Sequence, residues 1–288
     1  GGSGGGVQNV NQGTLIPYVD LVKIANPATC NAGANVTTNQ DLDGTNPLPA
    51  FVDTLCAGAS NNTATTTNAV SYIGVSDVEP AFFGPALNTF DNMDSGALTT
   101  VLFGAPVTVN VYKALQRAQS LVTGFGGTCP LDDQTEACMP TLPIAALTTM
   151  YTQSVAPTWP ALTGATVLNA DDTTVATNQN VFVARRANTS GTQKTYEAII
   201  ARTQNTSIGG RFCQPAVDVF VSGPNANDNA NAASLCGSGT NRIVRGSGSN
   251  QVLVCMKAHD DNNRGAVGTL SLEYKTTTAG QKVRFTKI

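Results

Sequence analysis

The segment Val181 to Glu197 (VFVARRANTSGTQKTYE) constrains this chain more than any other. Val181, Phe182 and Val183 form an apolar run that reads as a strand. Two arginines and a polar turn follow, and then Ser190-Gly191-Thr192 leads into a helix. Tyr196, Ile199 and Ile200 fall at i, i+3 and i+4, the spacing of one helix face. Ser190 or Thr192 is a natural N-cap, and Gly191 allows a ligand close to the backbone. The first turn of a helix carries unpaired N–H groups and a partial positive charge, so it attracts anions. Arg186 adds a fork of donors shortly before Ser190. The segment predicts an oxyanion site.

The rest of the composition fits an exported protein. Of 288 residues only 12% are charged, against ~25% in ordinary soluble domains. Asn, Thr, Gly and Ala take surface positions that Lys and Glu usually hold. The net charge of −3 and pI near 5.1 provide no basic field, which argues against nucleic acid as a partner. No apolar run approaches the ~20 residues that span a bilayer.

Seven cysteines point to the same setting. Cys129 and Cys138 bracket a short polar loop, and Cys30 and Cys56 bracket a longer Asn/Thr/Pro-rich one. Cys213, Cys236 and Cys255 come late. With no C-x-x-C spacing and a single His, loop-stapling disulfides are the better reading than zinc, and the expected metal and cofactor set is empty. Asp132, Asp133 and Glu136 lack the alternation of a calcium loop and read as a solvated face. His259, in the polar run AHDDNNRG, reads as part of a solvated loop, and Cys255 as paired or buried. No catalytic residue is expected and the chain is not read as an enzyme.

In order along the chain, GGSGGG opens a turn that could feed a helix, although an engineered linker has the same composition. Leu15–Ile24 is β-rich, and residues 26–69 read as a surface excursion. Ala69–Pro80 reads as a buried strand ending in Ser76-Asp77, where Asp77 is either a ligand group or a turn cap. Val101–Val111 is strand-like, and Tyr112–Thr123 and Leu142–Trp159 have helical spacing. Residues 217–221 form a further strand. Residues 222–250 read as Asn/Ser/Gly-rich loop, Val252–Met256 as a strand, Asn263–Tyr274 as a β-rich run between glycines, and Lys282–Ile288 as a strand. Strand and helix runs alternate, which gives an α/β class.

Val183 to Thr192 (VARRANTSGT) closely resembles the phosphate-contacting segment of the periplasmic phosphate-binding proteins that serve ABC-type importers. Gly2–Val7 is similar to that family's glycine-rich loop, and Tyr72–Asp77 to its strand ending in Ser-Asp. Leu147–Tyr151 through Trp159 resembles its helix ending in tryptophan. Arg264–Gly268 with Glu273-Tyr274 resembles its late strand. The resemblance implies a two-lobed, type II periplasmic-binding fold with disulfide-stapled loop insertions. Lobe one would hold residues 1–104, with 276–288 returning toward it, and lobe two would hold 105–275. It implies phosphate or a similar protonated oxyanion as ligand, bound by Ser3, Asp77, Arg186, Ser190, Gly191 and Thr192 in a cleft that closes by hinge motion. A periplasmic or secreted bacterial location and an ABC-type membrane permease as partner follow.

Asp77 is the informative member of that set. An ionised carboxylate only accepts hydrogen bonds, so beside an anion it selects one that carries a proton, as phosphate does near neutral pH and sulfate does not. The family's N-terminal strand and its first phosphate contact have no counterpart here. The abrupt ends and odd cysteine count lead us to expect the middle of a longer precursor. The alternative is a secreted structural or adhesive protein that reuses the fold and self-associates in a filament or surface layer.

Overall fold

A computed structural model describes residues 3–13, 15–19, 30–36, 51–56, 66–74, 76, 104–152, 157–200, 219–221, 226–275 and 282–288. Contacts divide the chain into two compact units, one of Gly1–Val7 with Val75–Ile288 and one of Gln8–Gly74. Helix α1 (Ser3–Gln12) comes first, so a helix takes in the glycines where a loop was expected. Strands β1 (Leu15–Val19), β2 (Cys30–Val36), β3 (Phe51–Cys56) and β4 (Thr66–Val70) follow. They form two antiparallel pairs, β1 with β4 and β2 with β3. The expected excursion at 26–69 therefore contains a hairpin, and its register sets Cys30 opposite Cys56. The strand expected from Ala69 onward instead ends at Val70, and Tyr72 and Ile73 beyond it are exposed.

The larger unit is mixed α/β. Its elements are β5 (Ala105–Thr108), α2 (Val109–Ala118), α3 (Ile144–Thr152), α4 (Trp159–Thr163), β6 (Phe182–Arg186), α5 (Gly191–Ile199), β7 (Val219–Val221), α6 (Ala226–Ser238), β8 (Ile243–Gly246), α7 (Ser249–Asp261), β9 (Ala266–Gly268) and β10 (Val283–Thr286). One six-stranded sheet runs in the order β10-β5-β9-β6-β8-β7. Strands β7, β8, β6 and β9 are parallel, while β5 runs antiparallel to β9 and to β10.

Strand β6 is buried on both faces along Phe182, Val183 and Ala184, which is why those positions are continuously apolar rather than alternating; its last two residues are Arg185 and Arg186. Val181 and Val183 pack with α2 and α3 residues such as Val111, Leu115, Leu147 and Met150. Ala184 packs on the other face with Ala232, Val252, Cys255 and Met256 of α6 and α7. Trp159, Tyr112, Tyr196 and Phe182 are among the largest fully buried side chains. Each contributes on the order of 1.5–3 kcal/mol through burial.

Several expectations are corrected here. Val252–Met256 is helical, because its buried positions continue at helical spacing through Val252, Cys255, Met256 and His259. Residues 222–250 hold helix α6 and strand β8. Ile199 is exposed while Tyr196 and Ile200 are buried, since only the i, i+4 pair faces the core before the helix ends. Two disulfides are present among the described residues. Cys129–Cys138 staples the expected loop, and Cys236–Cys255 ties α6 to α7; Cys213 lies outside the described residues.

Candidate functional site

Two neighbouring strands of the sheet end alike. β6 stops at Arg186 and β8 at Gly246, residues that face one another in the parallel register. Each then turns directly into a helix, α5 after Ser190 and α7 after Gly248. Parallel strands bring both helix N-termini to the carboxyl edge of the sheet, the edge where open α/β sheets place ligands. The Ala187 N–H donates to the Gly246 carbonyl at 2.8 Å and ties the two turns together.

At the start of α5, Ser190 is the N-cap, which settles the choice between it and Thr192. Its backbone is extended and its Oγ accepts from the Gln193 N–H at 3.4 Å. Ser190, Gly191 and Thr192 are all buried. Helix geometry supplies no intrahelical acceptor for the first-turn N–H groups of Gly191 and Thr192, so these point outward from the helix end.

Arg186 extends from the end of β6 toward the other turn. Its Nη1 donates to Ser249 Oγ at 2.6 Å and its Nη2 to the Ser247 carbonyl at 3.2 Å. Its backbone N–H donates to Gln193 Oε1 and to Thr269 Oγ1, at 3.1 and 3.2 Å. The Arg186 fork, expected beside Ser190–Thr192, is thus gripped by the β8–α7 turn. Ser247 and Ser249 went unread in the sequence. The sequence signal was partial: Gly246-Ser247-Gly248-Ser249 follows an apolar start as the Ser190 turn does, but the continuous apolar run Val252–Met256 after it does not by itself declare a helix.

Behind α5 lies a buried polar group. Gln193, with no exposed surface, bonds the Arg186 backbone through Oε1, and its Nε2 donates to the Tyr151 hydroxyl oxygen and to Glu197 Oε1. Arg185 is almost fully buried, donates to Asn188 Oδ1 at 3.0 Å, and lies 3.9 Å from Glu197. Burial pushes the Tyr151 hydroxyl well above its ordinary pKa, a rise that the Arg185 charge partly opposes, so it remains protonated.

The other expected site residues are placed less fully. Ser3 is the first residue of α1, and Asp77 lies outside the described residues. The structure brings together Arg186, Ser190, Gly191 and Thr192 on one strand–turn–helix unit.

Away from this edge, two expectations change. His259 is not solvated: it is fully buried in α7, stacked near the Phe182 ring at 4.5 Å. Burial, helped by the Arg264 charge, lowers its pKa to about 3. Asp132 is not merely a solvated acid either. It receives two bonds from Arg284, both 2.8 Å, and Gln116 bonds the backbone of Asp132, Asp133 and Cys138, so the stapled loop is docked on α2. The sulfurs of Cys236 and Cys255 and a ring nitrogen of His259 lie within 4.8 Å of one another. Both sulfurs are spent on their disulfide, which leaves a metal one nitrogen ligand. Among the described residues no helix is long and apolar enough to cross a membrane. The chain matches no protein-family model, no curated protein and no solved structure.

Proposed function

We propose that this chain is an extracytoplasmic solute-binding protein that captures phosphate or a similar protonated oxyanion. Arg186, Ser190, Gly191 and Thr192 form one half of the site, and Ser3 and Asp77 form the other. The observation that carries the reading is the Arg186 to Thr192 unit. An arginine ends a central parallel strand, and a serine-capped helix N-terminus of nine residues begins a few positions later. Hydroxyls, backbone N–H groups and a guanidinium are the donor set that a tetrahedral oxyanion needs.

The disulfides fit an oxidising compartment, and an ABC-type permease is the partner such a receptor would deliver to.

Isothermal titration of the full chain with inorganic phosphate tests the proposal. We expect saturable heat, and a loss of affinity of about a hundredfold or more in Arg186→Ala. Absence of phosphate heat, or unchanged affinity in the variant, defeats it.

A further inference from the structure

We propose that Ser249 is a positioning residue for the oxyanion site: with the Ser247 carbonyl it clamps the Arg186 guanidinium at the carboxyl edge of the sheet. The inference rests on the phosphate reading for its consequence, and on the observed contacts for its geometry. An arginine side chain on a strand end has several rotatable bonds, and holding it in one pose costs rotamer entropy each time a ligand binds. Here both terminal nitrogens are already engaged, Nη1 by Ser249 Oγ and Nη2 by the Ser247 carbonyl, and two bonds to different nitrogens fix the plane of the fork. A guanidinium has five N–H donors in a fixed geometry, so fixing its plane fixes the directions of all five.

The clamp is itself built on rigid parts. Ser249 is the first residue of α7, and the preceding turn is tight. Gly248 donates its N–H to Gln251 Oε1 at 2.8 Å, and a Cβ on Gly248 would come within 2.6 Å of that same oxygen. A Cβ on Gly246 would meet the Gln251 Cβ at 2.6 Å. Glycine at both positions lets the turn fold down on Gln251, and this folding places the Ser247 carbonyl and Ser249 hydroxyl against Arg186. Two strand–turn–helix units thereby serve one site. The first supplies Arg186 and the α5 N-terminus, and the second holds the arginine in position.

Ser249→Ala removes the hydroxyl and leaves the helix start intact. We expect phosphate affinity of the full chain to fall about tenfold, the effect of losing one hydrogen bond to a charged group, with recovery in Ser249→Thr. In an Arg186→Lys background the same change should alter affinity by less than about twofold, because a lysine has no fork to orient. Ser249→Ala that binds phosphate like the unmodified chain, or that loses as much in the Arg186→Lys background, overturns the proposal. A second readout is independent of phosphate. Nitrogen NMR of the Arg186 Nη groups should show slowed rotation in the unmodified chain and fast averaging in Ser249→Ala. Equal rotation in both overturns the clamp, whereas absence of phosphate binding alongside a slowed, Ser249-dependent fork defeats only the oxyanion reading.

Discussion

Arg185 and Arg186 are neighbours in sequence and opposites in environment. The pleat of β6 sends Arg185 to the face of Tyr151 and Glu197, where it is buried and ion-paired. Arg186 goes to the other face and reaches Ser249 at the sheet edge. The expectation of Arg186 rather than Arg185 as the ligand group rests on its spacing to Ser190-Gly191-Thr192, and the grip of Arg186 by α7 was not legible at all, because no local pattern joins residues so far apart. His259 shows the reverse failure. Its polar neighbours in sequence suggested solvent, whereas helical position decides its burial. Arg264 Nε donates to its Nδ1 at 3.4 Å, which assigns the ring proton to Nε2 in the neutral form. The unfolded chain protonates His259 near pH 6.5 and the folded chain only near about 3, so the unfolded state binds the extra proton between those values. Its stabilising effect is complete above pH 6.5 and is lost as pH falls. Between about pH 6 and about pH 4 we expect the native chain to lose roughly 1.4 kcal/mol per pH unit relative to His259→Gln, measured by urea unfolding at each pH. Parallel pH profiles would refute it.

At the scale of elements, the β6–turn–α5 unit was readable because every local signal agrees: an apolar strand, a polar turn, a serine cap and helical spacing. The β8–turn–α7 unit repeats the design and was misread. Val252–Met256 is apolar at nearly every position, and a short run of that kind does not distinguish a buried strand from a buried helix. The cap that would have decided it rests on Gln251 reaching back to Gly248, and glycine has no side chain to return the bond. Helix α4 and strand β9 illustrate packing that no periodicity reveals. A Cβ at Gly265 would stand 2.3 Å from Trp159 Nε1 and 2.6 Å from Val111 Cγ2. Trp159 is fully buried and has no space to swing away. Gly265→Ala should therefore destabilise by about 1–3 kcal/mol through overpacking, seen as a lower urea midpoint at unchanged slope. An unaltered midpoint would show that the tryptophan yields.

For the whole molecule, charge and topology bear on how an anion would be chosen. A chain with a net charge of −3 and few charged residues has no long-range basic field to draw anions in, so selection has to come from the site itself. The donors at the α5 N-terminus and on Arg186 would bind any tetrahedral oxyanion in the proposed site, and they alone would not separate phosphate from sulfate. Asp77 provides the distinction in the proposed site, since its carboxylate needs a protonated ligand to donate to it. Ligand that binds only the folded state raises its stability by about 2.7 kcal/mol at a hundred times Kd, and for a chain of this size that is a rise in Tm of roughly 4–5 °C. Phosphate at pH 7 should give such a rise, and sulfate at the same concentration should leave Tm unchanged. Asp77→Asn replaces an acceptor with a group that can also donate, so sulfate should now raise Tm as phosphate does. If sulfate stabilises the unmodified chain as strongly as phosphate, selection does not run through Asp77, and the pocket is a generic anion cradle.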